Sequence, residues 1–143
     1  MANYFYDDDE KERIKETLLT GKAKAWAESF IKPKPPKERG PKNPKLTSAQ
    51  LRRFHGEAKK LEEQVNNLGD DKRDFSKIRP LIKMLKSKVA YACPITGSER
   101  KVPEEFRKYI EEMIDNINDA KDFKAFALCF ESVVGFFYGQ GGR

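Results

Sequence analysis

Cysteine, histidine and tryptophan are scarce in this chain of 143 residues, which holds two, one and one of them. Cys93 and Cys129 are too few and too far apart for a disulfide framework or a knot of metal ligands, and the reducing cytoplasm is the compartment expected. A single histidine leaves no plausible nucleophile–base pair, so the chain is expected not to be an enzyme, with no cofactor and no metal. No apolar run approaches the length of a membrane span, and the opening from Met1 to Glu10 is acidic rather than basic-then-apolar, unlike a secretory leader. There is no phosphate loop and no G-x-G-x-x-G, and the closing Gly139-Gln140-Gly141-Gly142 has no following helix to hold a phosphate. Neither a strand-period segment nor an internal repeat is found.

What is present is helical periodicity. From Asp122 to Tyr138, Phe123, Phe126, Phe130, Val133, Val134 and Phe137 recur at three- and four-residue steps. The flank is also apolar (Ala125, Ala127, Leu128, Cys129, Phe136), leaving Lys124, Glu131, Ser132 and Gly135 as the wet positions. A helix apolar most of the way round must be enclosed, so this segment is the expected core helix. The fold class is all-α: a bundle of about five helices with a buried C-terminal helix.

Upstream, Asp7, Asp8 and Asp9 precede a helical pattern running to about Ile31, where Ile14, Leu18, Ala25 and Ile31 share a side and Gly21 allows a division into two shorter helices. Lys32 to Lys45 has five of the eight prolines and no other apolar side chain, so it reads as an extended linker. Thr47 or Ser48 caps a helix to about Leu68, with Leu51, Phe54, Ala58, Leu61, Val65 and Leu68 buried and Gly69-Asp70-Asp71 closing it. The next helix starts near Ser76 and holds Pro80 in its first turn; Ile78, Leu81, Ile82, Leu85, Val89 and Ala92 face inward. After a loop from Pro94 to Val102, Pro103 opens a helix with Phe106, Ile110, Met113, Ile114 and Ile117 inside. Its outer face is acidic: Glu104, Glu105, Glu111, Glu112 and Asp115.

The net charge of +6 is unevenly sorted. Residues 1–31 carry five basic and seven acidic groups, residues 32–45 six and one, residues 46–102 thirteen and seven, and residues 103–143 five and eight. Positive charge collected in the middle of a chain implies a surface for a polyanion. Arg52 with Lys59, and Arg53 with Lys60, stand off the apolar stripe of their helix, with Gly56 between the rows to allow close approach. Arg79, Lys83 and Lys86 form a ridge about 120° from the apolar centre of the next helix, with Lys77 and Lys88 on its other flank. A solvated face is the plain alternative. Contact with a phosphate backbone would be charge-based and steeply salt-dependent, and few aromatics interleave for base stacking.

Two weaker patterns compete. His55-Gly56-Glu57 has the H-x-E spelling of zinc deaminases, but P-C-x-x-C is missing and Cys93 stands alone before Pro94. That histidine reads as a surface or boundary residue. Paired glutamates at helical spacing could hold magnesium but more simply make a solvated face.

Three blocks carry a resemblance. Leu46-Thr47-Ser48-Ala49-Gln50-Leu51-Arg52-Arg53-Phe54 resembles the T-S-x-Q-[IL]-R-[KR]-F opening of the small subunit of type III-A CRISPR effector (Csm) complexes. Lys83 to Ala92 resembles that family's L-K-x-K-[LV]-A-Y-A segment, and Asp122-Phe123 through Phe130-Glu131-Ser132-Val133-Val134 its D-F-x-x-F…F-E-[AS]-[VI]-[VI] helix. The blocks span residues 46–138 in order. The basic linker is longer than usual, and Cys93-Pro94 stands where family members often continue toward an arginine.

The resemblance implies a non-catalytic RNA-binding subunit serving antiviral defence. Its copies would line an inner filament beside the repeated backbone subunit and below the large polymerase-bearing subunit, supporting guide RNA and paired target RNA. No membrane is involved. The chain then divides into an N-terminal helical arm (1–31), a basic proline-rich linker (32–45) and a helical RNA-binding domain (46–143). The contact candidates are Gln50, Arg52, Arg53, Lys59, Lys60, Arg79, Lys83, Lys86 and Lys88, with Gln50 equally able to cap its helix. Phe54 and Tyr91 are read as core residues. The alternative is a helical scaffold or adaptor that self-assembles, or binds an acidic protein partner, without RNA.

Overall fold

Apolar residues at helical spacing need a common axis to pack on, and the last helix supplies it. In the computed structural model, which describes residues 3–68, 72–95 and 99–143, six helical elements follow one another. They are α1 (Glu16–Leu19), α2 (Gly21–Ile31), α3 (Ser48–Asn66), α4 (Lys72–Ala92), α5 (Glu104–Asp115) and α6 (Ala120–Gly139). Since α1 is a single turn, five full helices remain, and the fold is all-α. Among the described residues the sole β feature is an isolated bridge between Tyr6 and Ile14. No helix there is long and apolar enough to cross a membrane.

The N-cap of α6 is Asp119, whose carboxylate accepts the Asp122 N–H. Phe123, Phe126, Phe130, Val133 and Phe137 are all buried, along with Ala125, Ala127 and Cys129. α2 packs most extensively on this helix, α3 and α1 also contact it, α5 lies against α2 and α4, and α4 closes against α3 and α5. Aromatic rings meet edge to face where α2, α3, α5 and α6 converge. Phe30 and Phe54 each stand 5.2 Å from Phe106, Trp26 stands 4.8 Å from Tyr109, and Tyr109 stands 5.8 Å from Phe130. Such pairs favour one packing arrangement over others of equal buried area.

Both thiols are free and buried. Tyr109 donates to Cys129 Sγ, which donates to the Leu18 carbonyl, so a chain of hydrogen bonds links α5, α6 and α1. Burial pushes the Cys129 thiol up to about 11, raises Cys93 as well, and holds the Tyr109 hydroxyl well above its ordinary value.

Several sequence expectations are corrected. The three aspartates do not cap a helix. Instead, residues 3–15 form a loop in which the Asp8 carboxylate accepts the backbone N–H groups of Glu12 and Arg13, burying Phe5 and Tyr6 beneath it. Short acidic side chains bond their own turn more readily than a distant helix end. Lys11 there adopts φ +58°, a left-handed conformation that costs about 1–2 kcal/mol. Its ammonium is held by Asp119 at 2.6 Å and by the buried Asp122 at 3.0 Å, which ties the loop to the start of α6.

Gly21 does divide the early helix, but Leu18, Ala23, Ala27 and Phe30 make its buried stripe, and Ala25 is exposed. α4 begins at Lys72, so Pro80 lies in its interior rather than its first turn. Leu81, expected inside, is 44% exposed, and Tyr91 is 82% exposed. Leu128 and Tyr138 join the wet side of α6. The expected Gly69-Asp70-Asp71 helix stop lies outside the described residues.

The segment from residue 32 to 45 has no helix or strand, yet it is tethered. Glu105 accepts the Lys34 N–H and the Asn43 amide, and Asn43 accepts the Glu104 N–H at the start of α5.

Candidate nucleic-acid interface

A helix offers two flanks beside its buried stripe, and the neighbour on each flank decides which cations stay free. α3 is set by its N-cap, where Thr47 Oγ1 accepts the Gln50 N–H; capping thus belongs to Thr47, and the Gln50 side chain lines a groove instead. One flank of α3 turns toward α6: His55 stands 5.2 Å from the Phe130 ring. Burial, reinforced by the Lys59 ammonium, holds His55 below its ordinary value, so it is neutral at pH 7. The other flank faces α4, where Lys88 pairs with Glu57 at 3.0 Å and keeps that carboxyl low.

The nine candidates therefore resolve into three faces. Arg52 and Lys59 lie along the α6 flank of α3, with Arg53 and Lys60 on the α4 side. All four are exposed and make no hydrogen bond or ion pair among the described residues. Gly56 between them meets open space, since nothing lies within 4 Å of where its Cβ would be. Gln50, Arg53 and Lys88 come together around the groove between α3 and the end of α4, about 500 Å3 in volume.

The α4 ridge points elsewhere. Lys83 Nζ donates to the Ile114 carbonyl at 3.4 Å and Lys86 pairs with Asp115, both at the end of α5. Arg79 is exposed and unpaired among the described residues. The Lys86–Asp115 pair is itself partly exposed, so it is worth no more than about 1 kcal/mol and exchanges readily for a phosphate.

Tyr91 and Lys101 also line the groove and were not among the sequence candidates. A signal existed for Tyr91, because it follows Lys88 by three positions and stands off the Ile82-Leu85-Val89 stripe. Lys101 comes from the loop before α5 and had none.

The acidic face of α5 is occupied from within. Glu104 meets Arg107 and Lys108, Glu105 holds the 32–45 segment, and Glu111 meets Arg107. Glu112 accepts the Tyr4 hydroxyl, and Asp115 takes Lys86.

The molecule is thus of the class of small all-helical bundles, with exposed cations unpaired among the described residues and a groove between two helices. The family model for Csm2 Type III-A matches residues 14–142. The chain belongs to that family, the small subunit of the type III-A CRISPR effector complex. No curated protein and no solved structure matches it.

Proposed function

We propose that this chain is a non-catalytic, RNA-binding small subunit that supports guide RNA and its paired target within a cytoplasmic type III-A CRISPR ribonucleoprotein during antiviral defence. Residues 46–143 serve as the RNA-binding domain, with residues 1–31 as arm and 32–45 as linker. It adjoins the repeated backbone subunit, the large polymerase-bearing subunit and neighbouring copies of itself, and target cleavage belongs to other subunits.

One observation carries the reading: Arg52, Arg53, Lys59 and Lys60 stand exposed, with no ion pair among the described residues, on successive turns of α3 around the open position at Gly56. Four exposed like charges on one helix repel one another, and a phosphate backbone is their natural complement. Gln50 and Lys88 extend this face to the groove, while Arg79, Lys83 and Lys86 supply a second contact line along α4.

Filter binding of duplex and single-stranded RNA against salt tests it. About four phosphate contacts predict a roughly 100-fold loss of affinity between 50 and 200 mM salt. The paired change Arg52→Glu with Lys59→Glu should abolish binding at 50 mM. Salt-independent binding, or an unaffected double variant, would refute the reading. In the adaptor alternative α5 of another copy meets the basic face, and its five carboxylates would have to exchange the partners they hold within the chain.

A further inference from the structure

Tyr91 is the most exposed large apolar side chain among the described residues, at 82%, on a helix whose other aromatic, Phe75, is buried. Its hydroxyl has no hydrogen-bond partner among the described residues, so neither core packing nor a polar tether accounts for it. A cation is brought beside the ring by the return of the chain. After α4 the chain returns, and the Ala92 carbonyl accepts the N–H groups of both Lys101 and Val102, at 2.8 and 3.2 Å. Val102 is fully buried and anchors that return. Lys101 is thereby placed with its ammonium 5.9 Å from the centre of the Tyr91 ring. Arg53 on α3 stands on the opposite wall, Lys88 lies one turn before Tyr91 on α4 and pairs with Glu57, and the buried Phe54 also lines the groove.

We propose that this groove is a docking site for one unpaired nucleotide of an RNA strand, its base stacked on Tyr91 and its phosphate held by Arg53 and Lys101. A volume of about 500 Å3 accommodates a nucleotide and excludes a duplex. The groove is lined by three cations and one carboxylate, the latter paired with Lys88, so Arg53 and Lys101 are left over and the charge suits a nucleotide. Every base has a π face, so the site tolerates any sequence and selects for an unstacked base. It would engage a base turned out of a paired strand, whereas the outer face of α3 meets only backbone. The assignment rests on the RNA-binding reading given above and adds a subsite to it.

The test uses the full chain and two labelled RNAs, a blunt duplex and the same duplex with one bulged 2-aminopurine. Tyr91→Ala should weaken the bulged RNA roughly 10- to 100-fold and leave the blunt duplex unchanged, since one stacked base is worth that factor. Tyr91→Phe keeps the ring and should bind both like the parent. Binding should quench the 2-aminopurine in the parent and in Tyr91→Phe, but not in Tyr91→Ala. The side chain is exposed, so circular dichroism should show all three proteins equally folded.

Equal losses on both RNAs, or no loss in Tyr91→Ala, overturns the nucleotide site while leaving RNA binding in place. If the parent binds neither RNA at low salt, both readings fall. Binding of poly-glutamate that depends on Tyr91, with RNA ignored, assigns the groove to an acidic protein instead.

Discussion

Replacing Phe130 with alanine is the sharpest test of how this fold is held together. The ring is 1% exposed and lies among four others: His55 at 5.2 Å, Phe126 at 5.7 Å, Tyr109 at 5.8 Å and Phe106 at 6.3 Å. Those neighbours come from α3, α5 and α6, so no single helix can shift to fill the space. Truncating a buried phenylalanine costs about 3–5 kcal/mol, and a cavity walled by rigid rings on three helices belongs at the upper end. Against a total stability of about 5–15 kcal/mol, that removes a third or more of what holds the native state.

Trp26 is the only tryptophan and packs on Tyr109 at 4.8 Å, so its fluorescence reports on this cluster. Urea titration followed by Trp26 emission and by circular dichroism should show one coincident transition, shifted by that amount. The melting temperature should fall by about 10–20 °C for a domain of this size. Phe130→Leu, which keeps most of the volume, should cost no more than about 1.5 kcal/mol. A loss below 1 kcal/mol for Phe130→Ala would show that the convergence of helices on α6 does not organise the core.

Other outcomes follow from the same contacts. Gly56→Ala places a methyl in open space on an exposed helix interior and should stabilise by about 0.5–1 kcal/mol; a lower denaturation midpoint would contradict that placement. Asp119→Ala removes the α6 cap and should cost about 1 kcal/mol at pH 7. Burial pushes the Asp119 carboxyl up, but the Lys11 ammonium and the Asp122 N–H outweigh it and hold it below its ordinary value. Its contribution is therefore present above the carboxylate range and lost as pH falls through the folded-state value, so the gap between parent and variant should close under acid in paired urea titrations. Neither Cys93 nor Cys129 should react with a thiol reagent in the native protein at pH 8, and both should react at once in denaturant. Fast labelling of Cys129 without denaturant would mean that the α1–α6 contact opens.

Much of the fold was legible because helical periodicity is local. The stripe Leu51, Phe54, Ala58, Leu61, Val65 is buried as spaced, and so are Phe106, Ile110, Met113 and Ile114 on α5. The failures share a cause. The N-terminal loop, where Tyr6 bridges Ile14 and Lys11 reaches Asp119 and Asp122, depends on groups far along the chain, and no local pattern encodes it. Leu81 and Tyr91 are apolar by composition, yet they lie on the flank of α4 that faces α3 and solvent.

The candidate interface divides in the same way. That cations would stand off the stripes of α3 and α4 follows from the spacing of Arg52, Arg53, Lys59, Lys60, Arg79, Lys83 and Lys86 alone. Which of them stay free does not. Two flanks beside a buried stripe are equivalent until a neighbouring helix covers one. Packing α5 against α4 drew Lys83 to the Ile114 carbonyl and Lys86 to Asp115, while packing α3 against α4 drew Lys88 to Glu57 and opened the groove under Tyr91. The chain's own sequence set its helices, its buried stripes and its excess of positive charge, because these depend on residues a turn or two apart. Only tertiary structure, through contacts between residues distant along the chain, decided which charges and which ring remain available to a partner.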